Sequence, residues 1–132
     1  MSETSLEYFS RSALAAADLR TKQYVFMRAA AAGTVNQSSQ GNGNSPATLI
    51  GVLANKPNSG QAATIIYGGE YKVIAGGAIT VNRWITSNGS GKAAAAVSGD
   101  NVIGFALEAA VADGDHIRCI LMPTWRLTGP ES

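Results

Sequence analysis

The feature that most constrains the fold is a sequence pattern that occurs twice along the chain. In each copy, an apolar segment with a central glycine leads into a turn with a second glycine, and another apolar segment follows. The two copies are 49–66, with Gly51 and Gly60, and 102–120, with Gly104 and Gly114. Because glycine permits tight turns and the close approach of two backbones, each copy predicts a β-hairpin.

Short β-branched and aromatic segments, separated by glycine-containing turns, continue this pattern along most of the chain. The first is 23–28, and residues 71–74 and 79–86 also read as strands. Residues 87–91 (SNGSG) predict a hairpin turn, because Asn-Gly readily adopts the positive φ that such turns require. The alanine-rich segment 92–97 is too short for a stable helix and is predicted as a strand. The pattern predicts an all-β fold, a compact small β-barrel or sandwich.

Polar and glycine-rich stretches interrupt these strands. Residues 67–70 are predicted to form either a turn or a bulge with a kink. Residues 33–45 are rich in Asn, Gln, Ser and Gly and cannot bury apolar surface, so they are predicted to form a flexible, exposed loop. Gly76 and Gly77 break the sheet again. They are assigned to turns and packing, like the four glycines above, because no phosphate-binding sequence or helix N-terminus follows them.

The first 17 residues differ from the rest, because their apolar residues recur at helical spacing behind a capping-box pair. These residues are Leu6, Phe9, Ala13 and Ala16, preceded by Thr4 with Glu7. They predict either a short amphipathic helix or an arm that becomes ordered only on a partner. At the other end, Pro123 is predicted to stop the sheet. The sequence therefore divides into an N-terminal arm (1–17), a β-domain (18–123) and a C-terminal tail (124–132).

The composition narrows the range of partners. Charged residues make up 14% of the chain and the net charge is +1, which fits either an assembly that buries much surface or a plain small-residue exterior. The one mild basic cluster is accompanied by Glu3, Glu7 and Asp18, so nucleic acid is not predicted as a partner. This cluster consists of Arg11, Arg20, Lys22 and Arg28. No apolar run approaches the roughly 20 residues of a membrane helix, and no signal peptide is visible, so synthesis in the cytoplasm without membrane insertion is expected.

The residues needed for catalysis or metal binding are missing from the sequence pattern. His116 is the only histidine, and no nucleophile or orienting group accompanies it in the sequence. Cys119 is the only cysteine and lies in an apolar strand pattern, where it is predicted to be a small buried hydrophobe. Asp113 and Asp115 flank Gly114 and read as turn formers, not as calcium ligands. The sequence predicts no enzyme, no cofactor and no metal site.

Taken in order, several segments resemble the capsid cement (head decoration) proteins of tailed bacteriophages. The segments that carry the resemblance are 18–19, 50–53 with Pro57 and Gly60, 73–80, 91–93, 102–109 and 114–115. They cover roughly residues 18–122 and consist of glycines and apolar residues in a fixed order. The sequence differs where family members often have Gly-Asp, since residues 82–84 read Asn-Arg-Trp, and its 36–45 loop is longer than is usual in the family.

The resemblance implies a β-domain that binds the outside of the assembled phage head and stabilises the shell, often as a homotrimer. Its partners would then be the major capsid protein and further copies of itself, on the exterior of the virion. Five apolar residues at the chain ends are candidate anchors, although Trp125 is equally compatible with packing on its own domain. They are Leu6, Tyr8, Phe9, Trp125 and Leu127. On this hypothesis, deleting residues 1–17 leaves a folded domain that no longer decorates heads.

Two alternatives belong to other functional classes. The first is a non-catalytic recognition module on a virion, for instance for carbohydrate, with Tyr67, Tyr71 and Trp84 as stacking aromatics. The second is a small β-barrel enzyme that uses His116, which a substitution of His116 by alanine would test. The aromatic and carboxylate clustering typical of a sugar site is not visible in the sequence.

Overall fold

Nine β-strands make up the secondary structure of the described residues, and no helix occurs among them. The computed structural model describes residues 8–38, 49–98 and 100–126, and for residues 123–126 it describes the backbone. The strands are β1 (Tyr8–Ala15), β2 (Phe26–Ala29), β3 (Thr34–Gln37), β4 (Leu49–Leu53), β5 (Ala62–Ile74), β6 (Trp84–Ser87), β7 (Ala93–Ala95), β8 (Asn101–Ala106) and β9 (His116–Arg126). The all-β prediction is confirmed.

Two pairings of β1 close a five-stranded barrel. The strands follow the order β1-β3-β2-β4-β5, and β5 pairs back onto β1. The β1–β5 pairing is antiparallel and runs from Leu14 opposite Ala62 to Tyr8 opposite Gly69. The β1–β3 pairing is parallel and short, because only Leu14 and Ala15 take part in it. Of the two predicted architectures, the barrel is therefore the one that forms.

The same sheet continues beyond the barrel along β5, and we refer to this extension as the second sheet. The far half of β5, residues 69–74, pairs with β9, and the order continues through β8 and β6 to β7. Both predicted hairpins are present, since β4 pairs with β5 and β8 with β9, each antiparallel. The predicted alanine strand is β7, and it pairs with β6 across the predicted turn at residues 87–91.

Successive residues of the barrel strands are buried in two different cores. Met27, Leu53 and Ile65 belong to the cluster inside the barrel, which also contains residues from β1 and β3. Their neighbours Phe26, Val52 and Ile66 belong to the cluster between the barrel and the second sheet. Because side chains alternate between the two faces of a strand, these strands bury both faces and read as continuous apolar runs.

The central glycines of the repeated pattern lie where two backbones come closest. A Cβ atom added at Gly51 would collide with the carbonyl oxygen of Ile66 on β5. A Cβ atom added at Gly104 would collide with the carbonyl oxygen of Ile120 on β9. The two copies of the pattern therefore place glycine in the same relation to the returning strand, and close backbone approach explains the residue type at both positions.

The N-terminal segment differs from its prediction. Residues 8–15 form β1 and neither a helix nor a separate arm, so this part of the predicted arm belongs to the β-domain. Ala13 and Ala15 face the barrel core while Ser10, Ser12 and Leu14 are exposed, which is a period of two. The helical spacing did not decide the conformation, because β5 supplies hydrogen-bond partners along β1 that a short isolated helix in water could not match.

The C-terminal boundary also differs from its prediction, because β9 continues through Pro123 to Arg126. The register of β8 and β9 shifts here: Gly104 lies opposite Leu121, and Val102 lies opposite Trp125. One residue of β8 thus faces three residues of β9 around Pro123. A bulge leaves residues outside the hydrogen-bond ladder, so proline is tolerated at this point and the predicted stop was wrong.

Two internal predictions are refined by the structure. The interruption at 67–70 is a bulge, because β5 is continuous and its register with β1 shifts at Tyr67. The predicted exposed loop begins later than expected, because residues 34–37 form β3 around the buried Val35. The rest of that loop, from residue 39 to 45, lies outside the described residues.

Positive φ at two non-glycine residues shortens two predicted strands. Tyr24 has φ 70°, and β2 begins only at Phe26. Asn82 also has φ 70°, so the predicted strand 79–86 reduces to one bridge between Ile79 and Ala110, a turn, and then β6. A left-handed backbone conformation is energetically costly for residues with a Cβ. At Tyr24 a hydrogen bond to β4 supports it, because the Tyr24 N–H donates to the carbonyl of Leu53.

Candidate interaction surface

Two pairs of aromatic rings lie where β1 meets the bulge of β5. Tyr8 is 46% exposed and Phe9 65% exposed. The ring centroids of Tyr8 and Tyr71 are 5.0 Å apart in an edge-to-face arrangement, and those of Phe9 and Tyr67 are 6.2 Å apart. We refer to Tyr8, Phe9, Tyr67 and Tyr71 as the aromatic ridge.

Two glycines of β5 explain why the ridge forms. Tyr8 lies opposite Gly69 and Phe9 lies opposite Gly68 in the β1–β5 register. A Cβ atom added at Gly68 would lie 3.3 Å from Cδ2 of Phe9, so the Phe9 ring covers the bare backbone of its partner. Aromatic side chains commonly cover cross-strand glycines in this way. The bulge at Tyr67 then turns a second ring toward Phe9.

Tyr71 is half-buried, whereas the other three rings of the ridge are exposed. Burial, with smaller contributions from Tyr24 and Tyr8, raises the pKa of Tyr71, so its phenol stays protonated at neutral pH. Tyrosine and phenylalanine rings supply large contact area with little loss of conformational freedom, and aromatic residues are enriched in protein interfaces. The aromatic ridge is therefore the candidate interaction surface of the described residues.

Of the five predicted anchors, Tyr8 and Phe9 are adjacent residues of β1, and each contacts one tyrosine of β5: Tyr8 contacts Tyr71, and Phe9 contacts Tyr67. Leu6 and Leu127 lie outside the described residues. Trp125 belongs to β9 and its backbone pairs with Val102, while its side chain lies outside the description. Tyr67 is the residue that sequence reasoning did not connect with the anchors, since only the β1–β5 register brings it to Phe9.

The three aromatics considered for sugar stacking make separate contacts. Tyr67 packs beside Phe9, and Tyr71 contacts Tyr8 and Tyr24. Trp84 lies on β6, where its ring meets Phe105 edge to face at 5.8 Å. Tyr67 and Tyr71 both lie on β5, whereas Trp84 belongs to the second sheet.

His116, which was considered above as a catalytic residue, lies beside an aromatic ring. The His116 ring lies 5.6 Å from that of Tyr24, which in turn has Nζ of Lys72 5.0 Å from its centroid. Within the described part of the chain, no three His, Cys, Asp or Glu side chains are grouped so that they could hold a metal ion. The described residues also include no helix with the length and apolarity needed to span a bilayer.

The two acidic side chains of the predicted turn around Gly114 form hydrogen bonds and an ion pair within the protein. The Asp115 carboxylate accepts the N–H groups of Val111 and Ala112, and these hydrogen bonds lower the pKa of Asp115. Asp113 pairs with Lys92, with 2.9 Å between Nζ and Oδ1. Gly114 between them has φ 98°, which explains why glycine is needed in this turn.

The other assigned glycines have different environments. Gly60 has φ 83° and open space around its Cα, so its backbone conformation requires glycine. A Cβ atom at Gly76 would collide with the side chain of Asn88, which organises the hairpin turn by accepting the N–H groups of Ser90 and Lys92. A Cβ atom at Gly77 would meet nothing within 4 Å.

Cys119 is fully buried between β5 and β8 and has an unusual pKa. Burial, helped by the nearby Glu108 carboxylate, raises the pKa of the Cys119 thiol from 9.0 to about 12. Between these two pH values the unfolded chain loses the thiol proton while the folded protein keeps it, so the free energy of unfolding falls as pH rises.

We therefore expect this term to lower stability by up to about 1.4 kcal/mol per pH unit above pH 9, with no effect below it. Urea unfolding of the wild type and of Cys119→Ala at a series of alkaline pH values measures the difference in slope. Tyr71 and other alkaline groups contribute to both proteins and cancel. Equal slopes for the two proteins would contradict the assignment.

Comparison with known proteins bears on the fold. The sequence matches no protein-family model and no curated protein. Among solved structures, the chain is similar to the crystal structure of the head fiber gp8.5 N base in bacteriophage phi29, with a TM-score of 0.63 and 18% sequence identity. The match covers 93% of this chain and 100% of that chain. At this identity the similarity establishes a shared fold over nearly the whole described domain.

Proposed function

We propose that the protein is a structural component of a bacteriophage virion that binds the exterior of the assembled head. The observation that carries the proposal is the fold similarity over the full length of the head fiber gp8.5 N base of bacteriophage phi29. The sequence resemblance to capsid cement proteins points to the same location by a separate route. The aromatic ridge supplies a surface of the kind that such binding needs.

The finer proposal is that the protein acts as a cement protein, as a homotrimer on the major capsid protein. A protein that binds only the assembled shell stabilises it by mass action, by about 2.7 kcal/mol per site when free protein exceeds Kd a hundredfold. No reaction is required for this role. It requires only a surface that fits the gap between capsid subunits, repeated over many sites.

Within this proposal, Phe9 and Tyr67 are the anchors. Both rings are exposed, and they contact each other across two strands of a closed barrel, so their positions are fixed before binding. Preorganised aromatic groups lose little conformational freedom on association, which is why they often dominate binding energy. Substituting them leaves both hydrophobic cores untouched, because neither residue belongs to a core cluster.

The test is co-sedimentation of the purified protein with heads assembled without it. We expect wild type to bind, and Phe9→Ser with Tyr67→Ser to weaken binding by about tenfold or more. Val111→Ser is the matched control, because Val111 is apolar, 83% exposed and outside the ridge. Light scattering on the free protein tests the trimer, whose mass is three times 13.6 kDa.

The outcomes separate the parts of the proposal. If wild type does not bind heads at any concentration, the head-binding function is wrong. If wild type binds and the double variant binds equally well, the function stands and the assignment of the anchors is wrong. A monomer in solution that also binds heads singly would contradict the trimer alone.

A further inference from the structure

Arg11 occupies an unexpected position in the barrel. Residues directly opposite each other on paired strands share a face, and Arg11 lies opposite Ile65, whose side chain is buried in the barrel core. Ala13 and Ala15 occupy the following inward positions of β1. The inward row of β1 therefore contains a cation next to Ala13, where the barrel pattern calls for an apolar residue, and the Arg11 side chain is exposed.

A cavity of about 230 Å³ opens beside Arg11. It lies between β1 and the turn that joins β2 to β3, where β1 and β3 share only two residue pairs. The walls are residues 11–13, residues 29–35 and Ile50. The turn reads Ala-Ala-Ala-Gly over 30–33, so no long side chain fills the space. The result is a barrel mouth with one cation at its rim and apolar side chains deeper in.

Basic residues outnumber acidic ones along the part of the sequence that forms the barrel strands. From Tyr8 to Gly69 the sequence contains five basic residues and a single acidic one, Asp18. Asp18 is already paired with Arg20 at 2.8 Å, which holds the pKa of its carboxyl at about 2. Among the described residues, Arg11 has no ion-pair partner. Within the described residues, the barrel thus presents a guanidinium without an ion-pair partner beside this cavity.

We propose that the barrel mouth binds an acidic side chain from an extended segment of a partner protein. A guanidinium pairs with a carboxylate through two parallel hydrogen bonds, and the alkyl part of a glutamate fits against Val35 and Ile50. A phosphate would require further cations or several converging N–H donors, and the mouth has one cation. Complementary charge at this rim would also raise the association rate and fix the orientation of the partner.

The test uses short peptides and does not depend on phage heads, so its failure is distinguishable from failure of the proposed function. Amide chemical shifts of the protein are followed by NMR during titration with acetyl-Gly-Glu-Glu-Gly-amide. We expect saturable shifts confined to residues 11–13 and 29–35, with a Kd on the order of millimolar. The matched peptide acetyl-Gly-Gln-Gln-Gly-amide is expected to bind about fivefold more weakly or not at all.

Two variants test the role of Arg11 itself. Arg11→Gln is expected to remove the preference for the glutamate peptide. Arg28→Gln is the control, because Arg28 is a basic residue of the same barrel that does not line the cavity. If both variants lose the preference for the glutamate peptide equally, the effect comes from the overall charge, and the proposed site is wrong.

The remaining outcomes are also decisive. Equal binding of the two peptides would overturn the recognition of a carboxylate. If inorganic phosphate produces the same shifts at the same concentration, the mouth binds anions in general, and the proposal of a carboxylate site is wrong. Shifts spread over the whole surface, with none concentrated at the mouth, would do the same.

Discussion

Replacing Gly104 with alanine is expected to lower the free energy of unfolding by about 3 kcal/mol or more, which corresponds to a fall in Tm of about 10 °C or more. The added Cβ would collide with the carbonyl oxygen of Ile120 and would approach the Cα of Leu121 at 3.2 Å. These are backbone atoms of a strand paired on both sides, so they cannot move aside without breaking the β8–β9 ladder.

Gly77→Ala is the matched control for this substitution. Gly77 has open space within 4 Å of the added Cβ and no positive φ, so the change is expected to be neutral or slightly stabilising through loss of entropy in the unfolded chain. Gly60→Ala isolates the effect of backbone conformation and is expected to cost about 1 kcal/mol. Thermal and urea unfolding followed by circular dichroism measure all three. A Gly104→Ala variant as stable as Gly77→Ala would contradict the close-approach explanation.

The hairpins were predictable because their signals are local. Gly51 and Gly104 each interrupt an apolar run, and a turn glycine follows at short distance, so each hairpin is encoded within one stretch of sequence. The strand β7 was predictable for a similar reason, since residues 93–95 are bounded closely by Gly91 and Gly99. Local constraints of this kind do not depend on which distant strand comes to lie alongside.

Barrel closure was not predictable, because it rests on pairings between distant segments. β1 reads YFSRSALA, and its alanines favour a helix as readily as a strand. Only the presence of β5 on one side and β3 on the other selects the extended form. The same dependence explains the break at Asn82, where the 79–86 alternation looked like one strand but the chain turns to pair Ile79 with Ala110.

For the candidate surface too, the sequence predicted the residue types but not their arrangement. Tyr8 and Phe9 were recognisable as apolar residues in need of a partner. Their relation to Tyr67 and the inward position of Arg11 depend on the β1–β5 register, including a bulge that moves every later residue by one position. A single sequence contains the residues of such a site but not the register that assembles them.

The barrel closure leads to a second large expected effect. Deleting residues 1–17 is now expected to abolish the native fold, in contrast to the sequence-based expectation of a folded domain without its arm. The deletion removes β1, and with it all antiparallel partners of residues 62–69 in β5 on that side. It also uncovers Ala63, Ile65 and Val35 of the barrel core.

A truncation that ends at residue 7 is the matched control, because it retains every residue of β1. It is expected to unfold cooperatively near the wild-type Tm, whereas the longer deletion is expected to lose its cooperative thermal transition and its dispersed amide NMR spectrum. Retention of both by the longer deletion would show that the barrel forms without β1. Loss of head binding by that variant would therefore be evidence of unfolding, so anchoring must be tested with Phe9 and Tyr67 substitutions that keep the barrel closed.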